Sequence, residues 1–167
     1  MKVKREASVA EYITEALLLL MKKKAYAGIS ITEVCAKAGV TRMSFYRHFA
    51  SKDDILQKWI TDITDDFVSG SHISYKYDTS EQYFIKLFTH MQEHKDICFA
   101  LYKAGLIHLI KGEFDRIFLA SYTGEYDAYK SYFLSGGIYN VFLLWLINGC
   151  KETPNELADK LVDILEK

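Results

Sequence analysis

An all-α fold is what this sequence predicts: an N-terminal three-helix domain built on a helix-turn-helix, followed by a longer helical domain, about nine helices in all. Three observations carry the expectation. A single Pro and nine Gly in 167 residues leave little room for strand-rich turns or long loops. Apolar residues recur at helical spacing through most of the chain, and half of all residues are hydrophobic, enough for a substantial core. Helix starts and stops are marked by their usual residues, most densely between Ser30 and Phe49.

The first helix is expected over Ser8 to Lys24, with Val9, Ile13, Ala16, Leu17 and Leu20 along its apolar stripe. Lys22, Lys23 and Lys24 close it, where the helix dipole favours cations; the same lysines suit phosphate or plain solvent equally well. Ahead of it Lys2, Lys4 and Arg5 form a short basic arm. Tyr26 and Ile29 are placed to pack this helix against the next. Ser30 followed three residues later by Glu33 is a capping box, so a helix starts at Ile31 and runs to Ala38, with Val34, Cys35 and Ala38 on one face. Gly39 ends it at a position that favours positive φ, and the apolar Val40 plugs the turn. Thr41 and Ser44 cap a second short helix whose inward ridge is Phe45 and Phe49. At 100° per residue Met43 and Arg47 lie opposite that ridge, flanked by Arg42 and Ser44, with Tyr46 and His48 on the shoulders. A soluble helix of two turns has little reason to expose Met, Tyr, Arg and His together. A DNA major groove supplies one: Arg pairs with guanine, Met touches a thymine methyl, and Tyr and His donate to phosphates. Arg42, Met43, Ser44 and Arg47 are therefore the candidate base readers. The bland alternative, a capped surface hairpin with a snorkelling Arg, leaves the agreement of caps, turn, ridge and outer face unexplained.

Ser51 starts a fourth helix with Asp53 and Asp54 in its first turn and Ile55, Leu56, Trp59, Ile60, Ile63 and Phe67 as its stripe. Ser69 to Ser80 reads as a connection. Further helices are expected over Ser80 to His94 (Tyr83, Phe84, Leu87, Phe88 and Met91 inward), Asp96 to Lys103 with a break near Gly105, and Leu106 to about Tyr122. Tyr126 to Asn148 is the longest apolar helix. Gly136 and Gly137 sit in its middle, where each costs roughly 1 kcal/mol against Ala, so close approach of another helix is expected there. Gly149 stops it, and Thr153-Pro154-Asn155-Glu156 starts a last helix with Leu157, Leu161, Ile164 and Leu165 on one stripe.

The formal net charge of −1 hides a polarity: residues 1–58 carry 11 Lys/Arg against 6 Asp/Glu, and residues 59–167 carry 10 against 16. A basic first third on an acidic remainder is the distribution of a DNA-binding head on a body that does not bind DNA. The boundary is expected at residue 50, giving domains 1–50 (motif 30–49) and 51–167. The longest uncharged stretch, Ser131 to Cys150, is interrupted by Gly136, Gly137 and Asn140 and reads as a buried helix, so no membrane partner is expected. Glu11 and Glu15 break up any signal-peptide plan, and three cysteines without an export signal fit a reducing cytoplasm.

The segment ITEVCAKAGVTRMSFYRHFASKDDIL closely resembles the N-terminal domain of the TetR/AcrR family of one-component bacterial regulators. The resemblance rests on A-G-V-T at the turn, S-F-Y-x-H-F after it, and S-K-D-D-I-L at the next helix start. One departure is Ala25, where many members carry Gly, a local cap cost of about 1 kcal/mol. SGGIYNVFLLWLINGCKETPNELADKL is similar to the last two helices of the family, which pair with a second subunit as a four-helix bundle. The resemblance implies a homodimer on near-palindromic double-stranded DNA, mostly repressing, with a small effector releasing the operator. It implies positioning contacts, chiefly to phosphate, at Ser30, Thr32, Thr41, Tyr46, His48 and Lys52. It makes the fourth helix the mechanical link between effector site and head. The interface is then expected at Gly136, Gly137, Leu157 and Leu161, and an aromatic pocket for a hydrophobic or aromatic effector at Phe84, Phe88, Tyr102, Phe114, Phe118 and Tyr139. The same aromatic residues are also read as plain core.

Other chemistries find little support. His90 and His94 stand four apart with Glu93 adjacent, but the H-E-x-x-H order is absent and no Cys or Asp partner is evident, so they are read as exposed helix histidines and no metal is assigned. Cys35, Cys98 and Cys150 are read as buried or incidental rather than redox-active. No G-x-S-x-G, P-loop or dinucleotide fingerprint is present, and no cofactor is expected. Two rival classes stay open: a regulator of the same fold that acts through a protein partner without a small-molecule pocket, and a metal-dependent or redox enzyme on a helical scaffold.

Overall fold

The computed structural model describes residues 8–70, 80–120 and 125–165, all helix or short connections. The basic arm at Lys2, Lys4 and Arg5, residues 71–79 of the expected connection, and Tyr122 lie outside the described residues. The chain divides into two units, Met1–Thr61 and Asp62–Lys167, so the boundary falls inside the fourth helix rather than at residue 50.

In the first unit, α1 (Val9–Met21) begins at Ser8, whose hydroxyl accepts from the Glu11 N–H while the Glu11 carboxylate accepts from the Ser8 N–H. Its buried face is Ile13, Ala16, Leu17 and Met21; Val9, expected inward, is exposed. The helix ends at Met21, so the three lysines follow it instead of forming its last turn. A short 3-10 turn over Tyr26–Gly28 leads to α2 (Ile31–Ala38), which packs on α1 together with α3 (Arg42–His48). Ala25 has φ −59° and ψ 136°, a conformation any residue adopts, so the expected penalty for lacking Gly there does not arise. The next helix, α4 (Lys52–Gly70), starts where the Ser51 hydroxyl accepts from the Asp54 N–H at 3.1 Å. Ile55, Leu56 and Ile60 continue the core along it.

The second unit contains α5 (Ser80–Glu93), α6 (Lys95–Lys103), α7 (His108–Ala120), α8 (Glu125–Ile147) and α9 (Pro154–Leu165). Long apolar stripes decide the pairing: α9 lies along α5, and α8 packs against both α7 and α6. A positive φ at Gly105 turns the chain out of α6, with Leu106 N–H donating to Leu101 C=O and Gly105 N–H to Tyr102 C=O. The α9 start is the expected capping box, Thr153 N–H to the Glu156 carboxylate at 2.8 Å and Glu156 N–H to the Thr153 hydroxyl at 3.3 Å. Among the described residues every buried side-chain N or O has a hydrogen-bond partner. Trp145, for instance, donates to Glu152 C=O at 3.0 Å.

Three groups of residues singled out in the body are placed as follows. Leu157 and Leu161 are buried within their own chain, 5 % and 4 % exposed, because the α9 stripe is taken up by α5; the apolar residue α9 leaves in the open is Ile164. Of the six candidate pocket residues, Phe84, Phe88, Phe114 and Phe118 are core. Ring contacts run from Tyr83 to Phe118 (5.9 Å), Phe118 to Phe114 (6.4 Å) and Phe114 to half-buried Tyr139 (5.8 Å), while Phe88 meets Trp145 at 5.7 Å. Tyr102 stands apart, exposed and stacked on Phe99 at 6.3 Å. His90 and His94, expected on an exposed face, are both half-buried, and the His90 ring stacks on Phe67 of α4 at 4.5 Å. Cys35 and Cys98 are buried and Cys150 half-buried; burial pushes the Cys98 thiol up to about 12, which keeps it protonated and unreactive.

Candidate nucleic-acid interface

The motif is assembled by short-range hydrogen bonds that the residue types dictate. The Ser30 N–H donates to the Glu33 carboxylate at 2.9 Å and the Glu33 N–H to the Ser30 hydroxyl at 3.2 Å. Lys24 also reaches Glu33; this ion pair, with the Ser30 bonds, holds the Glu33 carboxyl down to about 2. Gly39 stands at φ 68°, ψ 31°, and the turn closes with Val40 N–H on Cys35 C=O at 3.0 Å and Gly39 N–H on Ala36 C=O at 3.4 Å, a Schellman ending that a Cβ would strain. Thr41 then caps α3, its hydroxyl accepting from the Ser44 N–H at 3.1 Å.

Phe45 and Phe49 face inward, both buried, with ring centroids 6.2 Å apart. Burying two such rings contributes roughly 1.5–3 kcal/mol each, which fixes the rotation of α3 about its axis. That rotation decides what faces out. Met43 is 69 % exposed and Tyr46 51 %, both unusually open for their type, and Arg42, Arg47 and His48 are exposed beside them. One Arg47 guanidinium nitrogen lies 3.8 Å from the Met43 sulfur, so the two side chains form one surface. Ser30, Thr32 and Thr41 are exposed at the edges of this face and Ser44 is half-exposed. No acidic residue occurs in α3. The arrangement presents cations, hydroxyls and a polarisable apolar tip on a convex ridge, the complement of a groove walled by phosphates.

Lys52 is placed differently from its neighbours in the expected contact set. Its half-buried ammonium donates to Tyr26 C=O at 3.0 Å and to Ile29 C=O, and lies 4.3 Å from the Tyr26 ring centroid. Tyr26 in turn donates to the Asp53 carboxylate, and burial followed by that bond raises its phenol. Lys52 thus clamps the chain before α2 onto the start of α4. Lys52→Ala is expected to lower the stability of the head by ~1–3 kcal/mol, the range for removing charged hydrogen bonds to carbonyls. A guanidinium-chloride midpoint equal to that of the parent would show that water replaces the ammonium at no cost.

The contact between Tyr26 and Asp53 was not legible in the sequence, which read Tyr26 as a packing residue and Asp53 as a first-turn acid, since nothing local signals a contact spanning 27 residues. A second omission lies on α8, whose buried stripe Leu134, Ile138, Phe142 and Trp145 faces its own unit. A second stripe, Tyr129, Phe133, Gly137, Leu144 and Ile147, is exposed, with Phe133 at 70 %. A helix apolar all round signals two covered faces, and that signal was present in the sequence.

Comparison with known proteins agrees with this geometry. A model of bacterial regulatory proteins of the tetR family matches residues 13–58, and a model of a transcriptional regulator C-terminal region matches residues 78–167. The chain belongs to the TetR family. It is accordingly a DNA-binding transcriptional regulator of that family. Among curated relatives, the uncharacterized HTH-type transcriptional regulator YxbF of Bacillus subtilis is 25 % identical over 98 % of this chain and 46 % of its own length. YwcC of the same organism, described likewise, is 38 % identical over 33 % of this chain and 24 % of its own. The chain therefore spans less than half the length of these relatives. A TetR regulator from Streptococcus agalactiae 2603V has the same fold, with TM-score 0.69 and 20 % identity over 95 % of this chain and 94 % of its own. So has the dihydroxyacetone kinase operon activator DhaS, with TM-score 0.68 and 14 % identity over 94 % and 93 %. Among the described residues of this TetR-family chain, no helix is long and apolar enough to cross a membrane.

Proposed function

We propose that this TetR-family regulator is a homodimeric repressor that holds a near-palindromic operator and is released by a small hydrophobic or aromatic effector. The observation that carries the DNA-contact reading is the outer face of α3, where Arg42, Met43, Tyr46 and Arg47 are exposed while Phe45 and Phe49 lock the helix from behind. Arg42, Met43, Ser44 and Arg47 read base edges. Ser30, Thr32, Thr41, Tyr46 and His48 position the head against phosphate, and Lys52 supports it from within while offering its remaining N–H to the backbone. The exposed stripe of α8 supports the dimer, and two-fold symmetry then requires half-sites about one helical turn of DNA apart or a small multiple.

Arg42→Ala is expected to weaken operator binding by ~1–3 kcal/mol and to relax preference at one base position per half-site. Fluorescence anisotropy on the chain's own promoter DNA and on random DNA, across a salt series, measures it. An equal loss on both DNAs overturns the base-reading role. A reporter on the same promoter gives the sign of regulation: expression that falls when the regulator is removed overturns repression.

Release by an effector is supported by the attachments of α4. Asp65 pairs with Arg116 of α7 at 2.7 Å, and Phe67 carries the His90 ring, so a ligand that shifts α5 or α7 acts on this helix. Such a ligand has to bind one arrangement better than the other. A second reading is favoured by the burial of Phe84, Phe88, Phe114 and Phe118 among one another and their neighbours: a regulator that acts through a protein partner and needs no small-molecule pocket.

A further inference from the structure

The carboxyl end of α5 brings together three groups that the DNA-binding reading does not use. His90 and His94 lie one helical turn apart with Glu93 between them, so all three project from the same side. One ligand atom from each lies within 4.8 Å of the others. The two imidazole rings meet edge to face, with centroids 4.8 Å apart. We propose that His90, Glu93 and His94 form a binding site for a divalent transition-metal ion of the zinc, cobalt or nickel type, one per chain.

The donor set selects that class. Two imidazole nitrogens and one carboxylate oxygen suit borderline ions; calcium and magnesium take cages of oxygen, and copper(I) takes sulfur. A tetrahedral ion with bonds of about 2.0–2.2 Å holds its ligand atoms about 3.4 Å apart. Closing from the observed separation requires side-chain rotation only, which half-buried histidines and an exposed Glu93 permit. The fourth position is open to water. Phe67 stacks on His90 at 4.5 Å and supplies part of the apolar shell that limits solvent access to such a site. Burial holds both imidazoles below their usual range, His94 further lowering His90, while Glu93 acts in the opposite direction.

The sequence contains the pattern in an order that a search for H-E-x-x-H passes over. His90-Met91-Gln92-Glu93-His94 is H-x-x-E-H, its reverse, with the same two histidines one turn apart. No hydrolytic activity is inferred, since the chain is a regulator. The site stands apart from the operator-binding reading, and its test does not involve DNA.

The experiment is a cobalt(II) titration of the purified full chain, freed of any affinity tag, followed by visible absorption and repeated against a chromophoric chelator; zinc is then added to displace cobalt. One equivalent is expected to bind with a ligand-field spectrum of low coordination number. His90→Asn and His94→Asn are each expected to lower affinity by more than tenfold, since even the loss of a second-shell partner costs ~10–100-fold. Circular dichroism establishes that each variant is folded. Absence of binding, or binding unchanged in both folded variants, overturns the site. Should either variant unfold, X-ray absorption at the zinc edge of the parent chain decides, with two imidazoles in the coordination sphere supporting the site and their absence overturning it.

Discussion

Gly137→Leu is expected to leave the fold intact and abolish the proposed dimer. A Cβ built at Gly137 meets nothing within 4 Å, and the position is exposed on α8, so the single chain accommodates a larger side chain freely. Leucine is also the better helix former, by up to about 1 kcal/mol. The fold should therefore melt no lower than the parent. Only a second chain laid against the stripe of Tyr129, Phe133, Leu144 and Ile147 would meet the new side chain, at the point where glycine permits closest approach. Monomers hold one half-site instead of two. Loss of the linked second contact should lower operator affinity by roughly 10²–10⁴-fold. Light scattering and anisotropy on the same samples measure both effects. Gly112→Leu, on α7 with equally open surroundings, is the control and should change neither. An intact dimer with normal affinity in Gly137→Leu would move the interface elsewhere.

The head was legible because its signals are local. Ser30 with Glu33, Gly39, Thr41 with Ser44, and Phe45 with Phe49 act within one or two turns, and α2 was placed at Ile31–Ala38 by residue types that satisfy helix ends. What failed to show was the choice of partner between distant segments. The stripe of α9 identifies a face to bury but does not name α5 as the helix that covers it, so Leu157 and Leu161 were assigned to a second subunit. Lys52 reads as a surface cation at a helix start until the carbonyls of Tyr26 and Ile29 arrive from residues more than 20 positions earlier. His90 and His94 read as exposed because their spacing says nothing of Phe67, which α4 brings against the His90 ring. In α8 the two glycines suggested one close approach, whereas apolarity around the whole helix was the fuller signal, with one face for α6 and α7 and another left open.

Phe45→Ala should remove DNA binding without touching any DNA-facing side chain. The α3 helix is seven residues long, well below the roughly 12–15 at which an isolated helix is even marginal in water. Its conformation depends on docking, and Phe45 is the docked residue, fully buried with the Tyr46 ring 5.3 Å and the Phe49 ring 6.2 Å away. Truncating a buried Phe costs about 3–5 kcal/mol, comparable with the lower end of the roughly 5–15 kcal/mol that holds a whole domain together. The head should then lose α3 order while the second unit, with its own core, keeps its helices and the proposed dimer. Circular dichroism would show a partial loss of helix, light scattering an unchanged mass, and anisotropy no specific binding at concentrations that saturate the parent. Phe45→Leu refills much of the space and should recover most of the affinity, which separates loss of docking from loss of a contact. Parent-level operator binding by Phe45→Ala would mean that α3 is held by its caps alone, and that the outward placement of Arg42, Met43 and Arg47 does not depend on the aromatic ridge behind them.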